Sequence, residues 1–252
     1  MMKLKDMIVG LCIFLLSSSV IATNVKTYIP PQAYEYRLLI KEELNTYFRD
    51  IPHWNYIPSL IEHESCISLT HSRCWNPKSR LKTSREEGAG LGQLTRAYNS
   101  DGTLRFDSLE EMRKKYYAEL KELKWETIYS RPDLQIRTMI LMVRDNYNML
   151  YAVEDKDSRL QMSDAAYNGG LSGLLKERRT CGLASNCDPN IWFNHVEKYC
   201  LKSKKALYGN RSACDINRNH VYDVYIVRMP KYQKNYFDEM FLKIYNLEGV
   251  SP

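Results

Sequence analysis

Apolar and polar positions alternate with helical spacing from Tyr34 to Asp50, and again at Ile57, Leu60, Ile61 and Glu64 with Pro58 in a first-turn position. Two consecutive amphipathic helices are predicted there. Between Cys66 and Glu87 the periodicity gives way to Pro, Ser, Thr and Arg, so a loop or small β-rich lobe is expected near residues 66–95. Ser108 and Glu111 have the spacing of a capping box, and the strong helix formers that follow predict a helix over Ser108 to Leu123. Asp133 to Val153 is apolar over a broad face and predicts the central core helix. A short helix over Met162 to Asn168 is expected to stop at Gly169-Gly170, with another from Leu171 to Arg178. Asn190 to Leu201 and Asn217 to Arg228 also read as helices, and Pro230 separates the latter from a last amphipathic segment, Tyr232 to Leu247. The pattern predicts a mainly α single domain over residues 34–252, with a small irregular or β lobe and a helical C-terminal extension. Residues 23–33, with their Pro-Pro pair, read as a linker.

Length and composition narrow the class. The chain has 252 residues, 44% hydrophobic and 26% charged, which excludes collagen, disordered and polytopic membrane classes. Its net charge of +6 is too diffuse to indicate nucleic acid, and no nucleic-acid partner is expected, although contact with anionic polymers is favoured. Lys3 and Lys5, the apolar run Met7 to Ile21 and the small residues ending at Ala22 read as an export signal over residues 1–22. The run, about 15 residues, is shorter than the ~18 to 20 that span a bilayer comfortably; uncleaved, it would attach the protein to a membrane. Cleavage would remove Cys12 and leave six of the 7 cysteines, an even set that in a periplasmic or secreted protein reads as disulfides. Six cysteines pair in 15 ways; local pairing gives Cys66–Cys74, Cys181–Cys187 and Cys200–Cys214.

Glu64 is the candidate for chemistry. With Ile57, Leu60 and Ile61 it follows the i, i+3, i+4, i+7 pattern, which predicts an inward-facing carboxylate at the helix end while Glu62 points elsewhere. Partial desolvation there favours the neutral acid that a general acid requires. Four further motifs follow in order: Asn76-Pro77-Lys78-Ser79; Gly88-Ala89-Gly90-Leu91-Gly92-Gln93; Ala166-Tyr167-Asn168-Gly169-Gly170; and Arg218-Asn219-His220-Val221.

Together with Glu64-Ser65, this ordered set resembles the soluble lytic transglycosylase family, related to goose-type lysozyme, over roughly residues 56–228. The resemblance implies a lysozyme-like domain in which Glu64 is the catalytic acid and base and the Ser65 hydroxyl helps orient it. It implies that Gln93 lines a saccharide groove and that Tyr167 and Asn168 lie near the carboxylate. Gly90, Leu91 and Gly169 belong to the motifs that let backbone approach the glycan, and Tyr98, Trp75 and Trp192 are candidates for stacking on sugar faces. A late-helix Tyr of the family corresponds in this register to His220, with Tyr222 and Tyr225 as alternatives. Gly92 stands where the family usually has Met, so one apolar contact is missing or supplied elsewhere.

The implied reaction is cleavage of the β-1,4 bond between N-acetylmuramic acid and N-acetylglucosamine in peptidoglycan glycan strands, with a 1,6-anhydro product and no cofactor or metal. Wall remodelling, passage of a secretion or conjugation apparatus, and phage lysis all use this chemistry. Three alternatives remain at this stage. A goose-type hydrolase would recruit Glu86 or Glu87 as a second carboxylate. A zinc site could be assembled from His63, Cys66, His71 and Cys74. A wall-binding protein would keep the groove without turnover. His195 and the basic run Lys202 to Lys205 are expected to have surface roles.

Overall fold

The computed structural model describes residues 24–232 and 236. The expected export signal with Cys12, and most of the expected terminal helix from Tyr232 to Leu247, lie outside the described residues. The chain is mainly α, about 52% helical, with a small antiparallel sheet. Pro31–Tyr36 forms a 3₁₀ turn where part of a linker was expected, and it leads into α1, Arg37–Tyr47. The second predicted helix is α2, Tyr56–Ser65. A four-stranded sheet of order β1-β2-β3-β4 follows, built from Arg80–Lys82, Glu86–Ala89, Leu94–Tyr98 and Leu104–Asp107, with Gly88 opposite Thr95 in its central pair.

The predicted helix at Ser108 is interrupted. It forms as α3, Ser108–Lys115, and α4, Tyr117–Leu120, separated at Tyr116. Its N-cap is Asp107, whose carboxylate accepts from Glu110 N at 3.0 Å, whereas the Ser108 hydroxyl bonds both N and O of Thr95 and staples the helix to β3. The central helix α5 runs Pro132–Met149, and α6 is longer than expected, Lys156–Gly169, because Asp155 caps it through Ser158 N. Gly170, at φ 85°, ends α6 and opens α7, Leu171–Gly182.

The expected helix Asn190 to Leu201 is irregular apart from a 3₁₀ turn at Val196–Lys198. Side-chain bonds to the backbone replace a helical ladder there: His195 Nδ1 accepts from Asp188 N, Glu197 from Asn194 N, and Ser158 from the N–H of buried Trp192. A hairpin of β5, Ala206–Tyr208, and β6, Arg211–Ser212, leads into α8, Ala213–Tyr222, which starts earlier than predicted because Ser212 and Asp215 form a capping box. A π-helical turn, Asp223–Arg228, and a short α9, Met229–Lys231, follow without a break, so Pro230 does not separate two segments.

Three apolar clusters hold this arrangement. One joins α1, α2 and α5 to the turn around Val224 and Tyr232; a second lies among α6, α7 and α8; a third sits between the sheet and α3 to α5. The disulfides are Cys66–Cys74, Cys181–Cys187 and Cys200–Cys214, the local pairing anticipated from the sequence. Among the described residues no helix is long and apolar enough to cross a membrane.

Candidate active site

The burial of α2 reverses part of the sequence expectation. Glu62 is the fully buried carboxylate, whereas the Glu64 side chain is 16% exposed and opens onto a groove. The reversal arises because α2 packs on two sides, against the apolar core and against the Asp223–Lys231 segment. Glu62 accepts from Arg228 at 2.7 Å, Lys231 at 2.6 Å and the Tyr232 hydroxyl at 2.5 Å. These partners compensate its desolvation.

Glu64 meets α8. His220 Nε2 lies 2.8 Å from Glu64 Oε1, and its Nδ1 lies 2.7 Å from Asp164 Oδ2 on α6. Tyr56, at the start of α2, donates to the other Asp164 oxygen at 2.6 Å. Asp164 is fully buried and His220 nearly so. Burial alone would depress the imidazole, but Asp164 and Glu64 outweigh it and raise His220 to about 10. The ring is therefore an imidazolium at neutral pH, and both nitrogens donate. His63 packs edge-on against it, 4.3 Å between ring centroids, and is itself held by Asp223 at 2.6 Å. Burial pushes the Asp223 carboxyl up, but the His63 bond and Arg228 bring it down to about 2.

The groove, about 910 Å³, runs between the sheet and the α6–α7 junction and is lined by Glu64, Glu86, Gln93, Tyr167, Asn168 and Gly169 among others. Its two sides are joined at the floor, where the Tyr167 hydroxyl donates to Gly92 O at 2.7 Å. Asn168 Oδ1 accepts from Asn217 at 3.0 Å, and Asn217 also donates to Ala165 O, which fixes the amide at the end of α6. Gln93 donates to Gly90 O at 2.8 Å. No protein-family model matches the chain, and no curated protein matches it.

Several expected site residues lie elsewhere. The Ser65 hydroxyl donates to Ile61 O at 2.7 Å and accepts from Trp75 N at 3.1 Å; it ties the Cys66–Cys74 loop to α2 rather than bonding Glu64. Leu91 is fully buried, and Gly90 packs on Gln135 at φ 75°, where a Cβ would collide with the amide; both stand behind the groove. Trp75 and Trp192 are buried, so neither is free to stack on a sugar. Tyr98 is half-buried on β3, outside the groove lining. Tyr222 is exposed, and Tyr225, in the π-helical turn after α8, donates to Asp157 at 2.7 Å; of the three alternatives, His220 alone bonds Glu64.

The two further carboxylates differ. Glu87 is buried between Arg80 and Arg96, whose hydrogen bonds and charges outweigh its desolvation and hold its carboxyl below the usual range. It is a structural anion, not a free base. Glu86 lines the groove but accepts from the Tyr208 hydroxyl. The zinc set does not assemble: Cys66 and Cys74 are bonded to each other, His63 is committed to Asp223, and His71 accepts from Arg73 N. Lys202 is not a plain surface residue, because its Nζ donates to Gly169 O at 3.0 Å and burial lowers its pKa.

Three residues of this arrangement were missed from sequence. Asp164 orients His220; Asn217 orients Asn168; and Gln135 accepts from Leu91 N at 2.7 Å while donating to Ile128 O, pinning the β2–β3 turn to α5. An Asp flanked by Ala165-Ala166 on an amphipathic helix is the one sequence signal that marked any of them.

Proposed function

We propose that the protein is a lytic transglycosylase acting on peptidoglycan in an exported compartment, with a lysozyme-like domain and Glu64 as its catalytic acid and base. The observation that carries this reading is the Asp164–His220–Glu64 chain at the edge of a groove that also collects Gln93, Tyr167 and Asn168. Asp164 neutralises the His220 charge, so the pair presents Glu64 with a directed N–H at Oε1 and leaves Oε2 for substrate.

In the first step Glu64 gives its proton to the glycosidic oxygen, the C1–O bond breaks, and N-acetylglucosamine leaves as an alcohol. The acetamido oxygen of the muramoyl sugar supports the positive charge at C1. The Glu64 carboxylate then takes the proton of the C6 hydroxyl as that oxygen bonds to C1. The 1,6-anhydro ring closes without water and Glu64 is protonated again. Amides at Gln93 and Asn168 supply donors and acceptors that suit N-acetyl groups and hydroxyls. With Glu87 held by two arginines and Glu86 by Tyr208, neither carboxylate is presented as the base of a hydrolase. The three disulfides support export, in which the expected signal over residues 1–22 would direct the chain.

Mass spectrometry of the fragments released from purified peptidoglycan tests this. Anhydromuramoyl ends are expected, with Glu64→Gln reducing their release by roughly 100-fold or more while glycan binding persists. Reducing muramoyl ends that disappear with Glu86→Gln would establish the hydrolase instead.

A further inference from the structure

Two side-chain amides line the groove, and the protein engages a different end of each. Gln93, on the sheet side, donates from Nε2 to Gly90 O at 2.8 Å. A carbonyl oxygen only accepts, so this amide cannot be turned round, and Oε1 is the atom left for a ligand. On the helical side the order is reversed. Asn168 Oδ1 accepts from Asn217 Nδ2 at 3.0 Å, and among the described residues no group bonds Asn168 Nδ2.

The Asn217 amide is itself fixed from both ends. Its Nδ2 also donates to Ala165 O at 2.9 Å, and its Oδ1 accepts from Arg218 Nη1 at 2.7 Å. A guanidinium has donors only and a backbone carbonyl accepts only, so neither contact survives inversion of the amide. Arg218 is held in turn by Glu177 Oε2 and by Glu197 O, both at 2.8 Å, and lies 5.0 Å from the centre of the Trp192 ring. Glu177 and Asn217 are buried, and the other Glu177 oxygen accepts from Leu201 N at 3.0 Å. A Cβ at Gly169 would lie 2.7 Å from Asn217 Nδ2, so glycine admits the relay at the end of α6.

We propose that this relay gives the groove a fixed hydrogen-bond polarity: Asn168 presents N–H groups from the helical side and Gln93 an oxygen from the sheet side. Asn217, set by Arg218, is the positioning residue for Asn168. The inference rests on the glycan-binding part of the reading above and deepens it to the chemistry that each wall selects. The helical side takes an acceptor such as an acyl carbonyl oxygen, and the sheet side takes an N–H or a hydroxyl. An N-acylated amino sugar carries both in one group.

Side-chain amide NMR of the full chain carrying Glu64→Gln, which blocks turnover, gives the first test. On addition of an N-acetylglucosamine tetramer the NH2 signals of Asn168 should shift while those of Gln93, already bonded to Gly90, stay. Spectra of Asn168→Asp and Gln93→Glu assign the two pairs. Asn217→Asp tests the relay. Its carboxylate still accepts from Arg218 but has no hydrogen for Asn168 Oδ1, so the Asn168 amide turns to donate to it and shows the groove an oxygen. KM for glycan strands should rise roughly tenfold, the size of a lost hydrogen bond, with kcat close to that of the parent. Asn168→Asp, at an exposed position, should give the same rise, and thermal unfolding shows that both variants are folded. A merely structural Asn217 would lower the unfolding temperature and leave KM unchanged. An unmoved Asn168 pair, a shift at Gln93 in its place, or a parental KM in either folded variant would overturn the polarity alone. Release of no fragment by the parent, with Asn168 still answering the tetramer, would overturn the cleavage reading and leave the polarity standing.

Discussion

His220 donates its Nε2 hydrogen to Glu64 at 2.8 Å from a helix 156 positions away in sequence. The ring's other nitrogen is held by Asp164 at 2.7 Å, so neither rotation nor a change of tautomer is open to it. With its proton retained to about pH 10, His220 is a fixed donor and not a base that titrates near neutrality. Its role toward Glu64 is positioning. The charged and titratable groups around it are Asp164 on α6, Glu64 and His63 on α2, and Tyr56 beyond Asp164.

Asp164→Asn removes the largest influence holding that proton and leaves Glu64 alone to oppose burial. His220 should then titrate well below its parental value, toward neutral pH. A new limb near neutral pH is expected in the pH–rate profile of the variant, absent from the parent, with kcat affected more than KM. An imidazole NMR titration should move with it. A profile of parental shape would remove Asp164 from this role.

The same pair sets a stability trend. The folded value for His220, about 10, lies above the unfolded one, so the native state binds the extra proton between roughly pH 6.5 and 10. The stabilisation is fully present below about pH 6.5 and is lost as pH rises through 10. Denaturant unfolding from pH 6.5 to 10 should show the parent falling steeply and Asp164→Asn falling less. Parallel slopes for the two proteins would count against the assignment.

Glu62, two positions from Glu64, should respond through stability instead of turnover chemistry. Glu62→Ala leaves Lys231 and Arg228 buried beside an uncharged cavity, a loss of about 3 to 5 kcal/mol. Burial already lowers the Lys231 pKa, and without Glu62 it is opposed chiefly by the Asp223 charge, so the variant should regain part of the loss at alkaline pH, where Lys231 sheds its proton. Chemical denaturation at pH 7 and pH 10 measures both effects. A Glu62→Ala protein as stable as the parent would show that the network contributes nothing.

These contrasts mark where sequence patterns reach their limit. The helical period placed α2, and cysteine counting gave the three bridges, because both are local properties of the chain. The phase of α2 was misread because a one-faced helix was assumed, whereas the partners of Glu62 come from Arg228, Lys231 and Tyr232. The Asn190 to Leu201 segment carries helical spacing, yet its polar side chains bond the backbone locally. His220 was found through its motif, but Asp164 was not, since nothing within a few residues of Asp164 announces a histidine on another helix. The Tyr208–Glu86 hydrogen bond is equally nonlocal, for its partners are 122 positions apart.

Gly92 offers a test of how the floor of the groove is filled. A Cβ there would lie 2.5 Å from Met139 Sδ and 2.8 Å from the Tyr167 hydroxyl, which already donates to the carbonyl of Gly92. Met139, fully buried on α5, therefore occupies the volume that a larger residue at position 92 would take. Gly92→Ala should overpack the site and cost about 1 to 3 kcal/mol, and Gly92→Met more. Met139→Ala should cost about 2 to 5 kcal/mol by opening a cavity beneath the same turn. The two defects are complementary in volume. The double variant Gly92→Met/Met139→Ala should be more stable than the sum of its parts by at least about 1 kcal/mol, a coupling of the size expected for residues in contact. Glycan release should recover in parallel, because the Tyr167 bond that joins the two sides of the groove is restored. Strict additivity in a double-mutant cycle would mean that α5 does not supply the side chain missing at position 92.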